Sequence, residues 1–373
     1  MIPFNKPFFT GNETKYIQEA VASGKISGDG IFTKRCHSFF ENKFGFKKCL
    51  LTTSCTDALE LAALLINIEP GDEVILPSYT FVSTANAFVL RGAKLVFVDS
   101  SDENPNMDVL AIEPLINSKT KAIVVVHYAG IACDMDVVMA LAVKFKLFVI
   151  EDAAQAIDSY YKNIPLGSIG HLSAFSFHET KNIISGEGGM LAINDSQFSD
   201  RAEIIREKGT NRSQFFRGEI DKYGWVEPGS SFLPSEIIAA FLYAQLENLE
   251  KIQQKRKILW QCYYDLLLPL KDIIKLPIIP TYATNNAHMF YIICKDIDER
   301  TVLINYLKSF DILSVFHYLS LHKSEYYSPK HDGRVLKNTE LFTDCLLRLP
   351  MYYELDVTQV EKICELISKF YKK

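Results

Sequence analysis

Three short segments of the chain carry side chains suited to one kind of chemistry. Glu151-Asp152-Ala153-Ala154-Gln155 follows directly on an apolar run that ends at Ile150. Ser176-Phe177-His178-Glu179-Thr180-Lys181-Asn182 closes another such run, and Thr53-Ser54-Cys55-Thr56 opens a stretch with helical spacing. A carboxylate, a lysine and a hydroxyl-bearing helix start are the separate needs of pyridoxal phosphate. The lysine bonds the cofactor's aldehyde as a Schiff base, and the carboxylate keeps the pyridine nitrogen protonated so that the ring can accept electrons. A helix N-terminus with hydroxyl side chains cradles the phosphate. The expected roles are Lys181 for the aldehyde, Asp152 for the ring nitrogen, and Ser54, Thr56 and Ser176 for the phosphate.

Each piece alone has a plainer explanation. A strand-end Asp commonly caps a helix or joins an ion pair, and a lysine followed by asparagine is ordinarily solvated. Ser54 or Thr53 can simply cap the helix that follows, and Gly186-Glu187-Gly188-Gly189 reads equally as a turn. The conjunction, in this order on an alternating background, favours the chemical reading.

The elements that must position these groups are legible in the apolar pattern. Strands are predicted at Glu73 to Leu76, Leu95 to Val98, Ala122 to Val126, Leu147 to Ile150, Ala174 to Phe177 and Gly189 to Ile193. Helices are predicted at Thr56 to Leu65 and Val137 to Lys144. Short apolar runs alternating with helices predict an α/β fold, a large mostly parallel sheet with helices on both faces. Such sheets place ligands beyond the carboxyl ends of their strands, where all three segments fall. A long helical pattern from Glu236 to Trp260 reads as a connector. It leads from a large domain of residues 1–245 into a smaller C-terminal α/β domain of residues 246–373. That second domain is expected to hold a strand at Met289 to Ile293 and a closing helix at Val357 to Phe370.

The chain has 373 residues, 48% hydrophobic and 23% charged, enough for a well-buried core. A formal net charge of -5 with no basic block argues against a nucleic-acid binder. The eight cysteines show no CxxC pair and no ligand spacing, which predicts reduced thiols, no metal site and a cytoplasmic protein. The N-terminus lacks the layout of a signal peptide, and the longest apolar runs are far too short to span a bilayer.

At these residues the chain resembles the DegT/StrS family of sugar aminotransferases, which have the fold-type I pyridoxal-phosphate architecture. The strongest matches are Pro77 to Asn86, Glu151 to Gln155, and Ser176 to Asn182 with Gly186 to Gly189, and the likeness runs from Ile2-Pro3-Phe4 to Leu349-Pro350. The resemblance implies that Phe81 stacks on the pyridine ring and that Gln155 hydrogen-bonds the ring hydroxyl. It adds Cys55 to Thr56 and Ser176 at the phosphate, and implies a homodimer with active sites at the interface. One segment departs from the family. Where many members carry Gly-x-Asn-x-Arg reaching across the dimer to the phosphate, this chain has Gly229-Ser230-Ser231-Phe232-Leu233, leaving Ser231 for that contact.

Three further stretches resemble a subgroup that makes dTDP-4-amino-4,6-dideoxygalactose for bacterial surface polysaccharides such as enterobacterial common antigen and O antigen. They are Phe177 to Asn182, Glu207 to Gly218 and Ala287 to Tyr291. The middle one joins Lys208, Arg212 and Arg217 to Phe215 and Phe216, a mix suited to a pyrophosphate and a stacked base. Its plainer reading is a charged surface loop. His178 and His322 are candidate sugar contacts, each equally readable as a packed histidine. The resemblance implies transfer of an amino group from glutamate, through the pyridoxamine form, to C4 of a dTDP-4-keto-6-deoxyglucose. The rivals are amination at C3, a gluco-configured 4-amino product, a dehydratase of the same fold, an amino-acid aminotransferase and a non-catalytic ligand sensor. Lys181 speaks against the dehydratase, and retention of both Lys181 and Asp152 speaks against the sensor.

Overall fold

The computed structural model describes residues 1–372. Seven strands form one sheet in the order β1-β9-β8-β5-β4-β2-β3. They are β1 (Lys48–Thr52), β2 (Glu73–Pro77), β3 (Lys94–Val98), β4 (Thr120–Val126), β5 (Phe148–Asp152), β8 (Leu172–Ser176) and β9 (Gly189–Ile193). Two-residue strands β6 (Tyr160–Tyr161) and β7 (Ile164–Pro165) make a separate hairpin between β5 and β8. The pairs β2–β3, β2–β4, β4–β5 and β5–β8 are parallel. Only β9 runs against the rest, pairing antiparallel with both β8 and β1. The predicted strands all appear within two residues of their expected ends. Of these seven, β1 alone is absent from the prediction, a short edge strand whose Leu50-Leu51 core is too brief to signal by periodicity.

Alternation across the pleat divides the sheet between two cores. Ile75, Val125 and Val149 point into one, while Val74, Leu76, Val124 and Ile150 point into the other. The helices Glu13–Ala22, Ile31–Phe44 and Met135–Phe145 bury side chains in the first core, and Cys55–Leu65 in the second. Both faces are therefore covered, and the strands read as unbroken apolar runs for that reason.

The expected connector from Glu236 to Trp260 is two helices, Glu236–Leu246 and Leu249–Leu267. Asn248, at φ -107° and ψ 8°, leaves helical geometry and separates them. The second helix changes cores along its length. Leu249 and Ile252 pack under the large sheet, and Leu259, Trp260, Tyr263 and Leu267 belong to a C-terminal core. That core is covered by a three-stranded antiparallel sheet, β10 (Phe290–Ile293), β11 (Val315–Phe316) and β12 (Leu346–Leu349), with β12 in the centre. The helices Ile297–Lys308 and Val357–Tyr371 complete it. Ile2 joins the same core, its backbone bonded on both sides to the segment Asp311 to Leu313. No described helix is long and apolar enough to cross a membrane.

Candidate active site

The carboxyl edge of the large sheet and the face of β12 enclose a cleft of about 390 Å³. Ser54, Cys55, Thr56, Phe81, Asp152, Gln155, Ser176, His178 and Lys181 all line it, so nine of the expected residues converge.

The floor is the end of β5. Glu151 and Asp152 are adjacent, so the pleat sends them to opposite faces. Glu151 is fully buried and bonded to His127 Nε2 at 2.9 Å and to the backbone N–H groups of Gly167, Ile169 and Gly170 at 2.7, 2.8 and 2.6 Å. These donors overcome its desolvation and hold its carboxyl below the usual range. Asp152 faces the cleft and accepts only from the Thr84 hydroxyl at 2.6 Å and the Ala154 N–H at 3.1 Å. Burial pushes its carboxyl up, and those two bonds and the nearby Lys181 only partly offset it. A desolvated carboxylate with acceptor capacity left over is the partner that a protonated ring nitrogen requires. Thr84 is itself held by Thr80 at 2.9 Å, which fixes the direction of the carboxylate.

Lys181 follows β8 in a tight loop, its N–H bonded to the His178 carbonyl at 2.9 Å. Burial dominates its environment and lowers its pKa, against the pull of Cys55 and Asp152. Phe81 precedes the helix Val82–Val89 and is 56% exposed, so its ring is not core packing but a free face at the cleft wall. Gln155 is positioned rather than free: its Oε1 accepts from the Ala129 N–H at 2.7 Å and its Nε2 donates to the Tyr318 hydroxyl at 2.9 Å. One amide hydrogen remains for a ligand.

At the other end of the cleft the helix Cys55–Leu65 begins. Its first-turn N–H groups lack intrahelical acceptors. Ser54 Oγ takes that of Asp57 at 3.1 Å, leaving the Cys55 and Thr56 amides pointed at the cleft beside the Thr56 and Ser83 hydroxyls, which bond each other at 2.8 Å. Ser54 thus acts as the cap that its plainer reading predicted. Gly189, the first residue of β9, lies so close to this turn that a Cβ there would fall on the Ser54 carbonyl and the Cys55 nitrogen. Backbone amides, hydroxyls, carboxylate and lysine together form a donor set that fits pyridoxal phosphate: Cys55, Thr56 and Ser176 for its phosphate, Asp152 for its ring nitrogen and Lys181 for its aldehyde.

The remaining expected residues lie elsewhere. His322 is buried away from the cleft, its Nδ1 2.8 Å from Ser78 Oγ and its Nε2 facing Glu340 at 3.5 Å. The structure places it as a packed histidine. Lys208, Arg212, Phe215 and Arg217 occupy an exposed segment outside their own chain's cleft, with Arg217 paired to Glu203 and Glu219, both at 2.6 Å. Ser231 is exposed and bridges to Glu207. Conversely, His288, His317, Tyr318 and Arg348 line the cleft without having been singled out in the sequence. The signal for Arg348 was available as a lone cation inside the apolar run Leu346-Leu347-Arg348-Leu349. Among the described residues no cluster of His, Cys, Asp and Glu has the makings of a metal site.

The chain as a whole is similar to known aminotransferases. A UDP-4-amino-4-deoxy-L-arabinose–oxoglutarate aminotransferase of Shewanella sediminis is 32% identical over 383 residues, covering 99% of this chain and 97% of its own. Spr1654 of Streptococcus pneumoniae superimposes in its PMP form with a TM-score of 0.92 at 25% identity, covering 100% of this chain and 99% of that one. DesV of S. venezuelae, in complex with a ketimine intermediate, gives 0.90 at 26% identity, with the same coverage of 100% and 99%. Residues 8–368 match the DegT/DnrJ/EryC1/StrS aminotransferase family. The chain belongs to that family and is a pyridoxal-phosphate-dependent sugar aminotransferase.

Proposed function

We propose that this enzyme moves an amino group from glutamate to C4 of dTDP-4-keto-6-deoxy-D-glucose, giving dTDP-4-amino-4,6-dideoxy-D-galactose for surface-polysaccharide synthesis in the cytoplasm. The observation that carries the reading is the segment Glu207 to Gly218, which resembles the subgroup and exposes Lys208, Arg212, Phe215, Phe216 and Arg217 together. Arg212 lies over the Phe216 ring at 5.0 Å, a unit able to meet a diphosphate and a base. Phe216 is 68% and Trp225 80% exposed, an apolar surface that a second copy of the chain would cover. In that homodimer Lys208, Arg212, Phe215, Arg217 and Ser231 serve the partner's cleft.

When bound, pyridoxal phosphate supplies an electron-accepting ring that stabilises a carbanion at the substrate carbon. The chain does the rest. Asp152, aimed by Thr84 and Ala154, would keep the ring nitrogen charged, and Phe81 would stack on the ring. Lys181, whose pKa is lowered by burial, would hold the cofactor's aldehyde and move the proton to and from the substrate carbon. His178, held by Thr180 at 2.9 Å, stands at the cleft wall where the sugar enters.

A second reading is favoured by the Shewanella relative, whose substrate is a UDP-linked 4-amino pentose. Incubation with glutamate and either dTDP- or UDP-4-keto sugars, followed by NMR of the product, separates the two. An axial C4 amine on the dTDP-sugar is expected. An equatorial amine, or turnover of UDP-pentose alone, would displace the first reading.

A further inference from the structure

The C-terminal sheet presents two unlike faces. Leu347 and Leu349 of β12, with Phe290 and Ile292 of β10, enter the C-terminal core. Arg348 pairs across the sheet with Tyr291 on one side and Val315 on the other, and this face turns toward the cleft. A cation on the central strand of a small sheet is expensive unless something pairs with it. Two arginines buried elsewhere have strong acceptors: Arg206 is forked onto Asp29 at 2.8 and 2.9 Å, although its Nε has none, and Arg256 donates to the carbonyls of Ala287 and His288 at 3.0 and 2.6 Å. Arg348 has no such partner. Its Nε is buried with no acceptor, and the nearby Tyr291 hydroxyl is likewise without one. Its favourable electrostatic neighbours are the hydroxyls of Tyr128, Tyr318 and Tyr79, not a carboxylate. The Phe4 ring, 4.6 Å from the guanidinium, gives partial compensation.

The position narrows what this cation awaits. Arg348 shares the cleft with Lys181 and is close enough to lower that lysine's pKa. The phosphate cradle lies on the opposite wall, at the start of the helix Cys55–Leu65. A keto-sugar is uncharged around its reacting carbon, whereas an amino acid donor carries a carboxylate on the carbon whose amine is exchanged. We infer that Arg348 is the anchor for the amino donor, its guanidinium fork holding the α-carboxylate of glutamate, and of 2-oxoglutarate as it leaves. This rests on the amino-transfer reading above and adds the group that selects the donor. Arg348 stands on the middle strand of a sheet, so the carboxylate is fixed relative to Lys181 without any loop having to order.

The test is calorimetric titration of 2-oxoglutarate into the pyridoxal-loaded enzyme, wild type against Arg348→Met and Arg348→Lys. Loss of a charged bidentate contact is expected to weaken binding roughly 30-fold in Arg348→Met and about 10-fold in Arg348→Lys, which keeps the charge but not the fork. The amine-loaded form of either variant should bind the keto-sugar with an affinity within about threefold of wild type. If wild type binds no 2-oxoglutarate, or either folded variant binds it as wild type does, the anchor is overturned. A loss confined to the sugar step overturns it equally. An enzyme that binds 2-oxoglutarate through Arg348 yet aminates no nucleotide sugar would sink the substrate assignment and leave the anchor standing.

Discussion

On the large-sheet wall of the cleft, the carboxylate and the amide are each aimed by neighbours. Asp152 is aimed by Thr84, Thr84 by Thr80, Gln155 by Ala129 and Tyr318. On the small-sheet wall, Arg348 projects a guanidinium whose Nε nothing in the chain satisfies. The first wall is preorganised for a resident group, its side chains aimed by neighbours while donor and acceptor capacity is kept for that group. The second faces ligands that come and go, and a group left unpaired in the protein is what a passing anion can satisfy. The same contrast occurs within two residues of β5, where Glu151 is saturated by His127 and three backbone N–H groups while Asp152 keeps capacity in reserve.

Substitutions on the preorganised wall should have the largest effects. Lys181→Ala removes both the bond to the cofactor and the proton carrier. Turnover should fall by at least about 10³-fold, with loss of the cofactor's visible absorbance band. A variant that keeps both would break the assignment. Asp152→Asn retains shape and the bond from Thr84 but not the charge. It should keep some cofactor while losing on the order of 10²-fold in turnover, and a near wild-type rate would remove Asp152 from the ring nitrogen.

Glu151→Gln should separate its neighbour's role from its own. The fold should lose about 3 kcal/mol in urea denaturation at neutral pH, because His127 and the three amides lose their charged acceptor. Activity per folded molecule should stay near wild type. The folded carboxyl is depressed, so its stabilisation is fully present above the unfolded value of about 4.3 and fades as pH falls below it. The stability gap between Glu151→Gln and wild type should therefore narrow in acid. The smallest effect is expected at His322, outside the cleft. His322→Gln should cost about 1 kcal/mol through its bond to Ser78 and leave the Michaelis constant for the sugar unchanged, and a rise in that constant would return His322 to the site.

Most of the large-sheet wall was legible in sequence because its groups lie within a few residues of strand and helix ends. Asp152, Ser176, Lys181 and Thr56 each sit directly at such an end, and apolar runs locate those ends well. The reading failed where side chains converge from distant segments. Arg348 meets Lys181 only because β12 packs against the edge of the large sheet, 167 positions further along the chain. His322 read equally as a sugar contact or a packed histidine, and only packing shows its Nδ1 on Ser78 and Glu340 3.5 Å from its Nε2. The break at Asn248 was likewise hidden, since the apolar spacing continues through it while the two helices turn to different cores.

The sequence by itself determined the cofactor chemistry of the large-sheet wall. A lysine, an aspartate and a hydroxylated helix start at strand ends can be read from local order, and the parallel sheet brings them to one edge. What only the tertiary structure decided is the other half of the cleft: which histidine is spent on packing, and which arginine is left unpaired facing the reacting lysine. Satisfaction of a polar group is a property of all its neighbours in space, and no stretch of chain contains them.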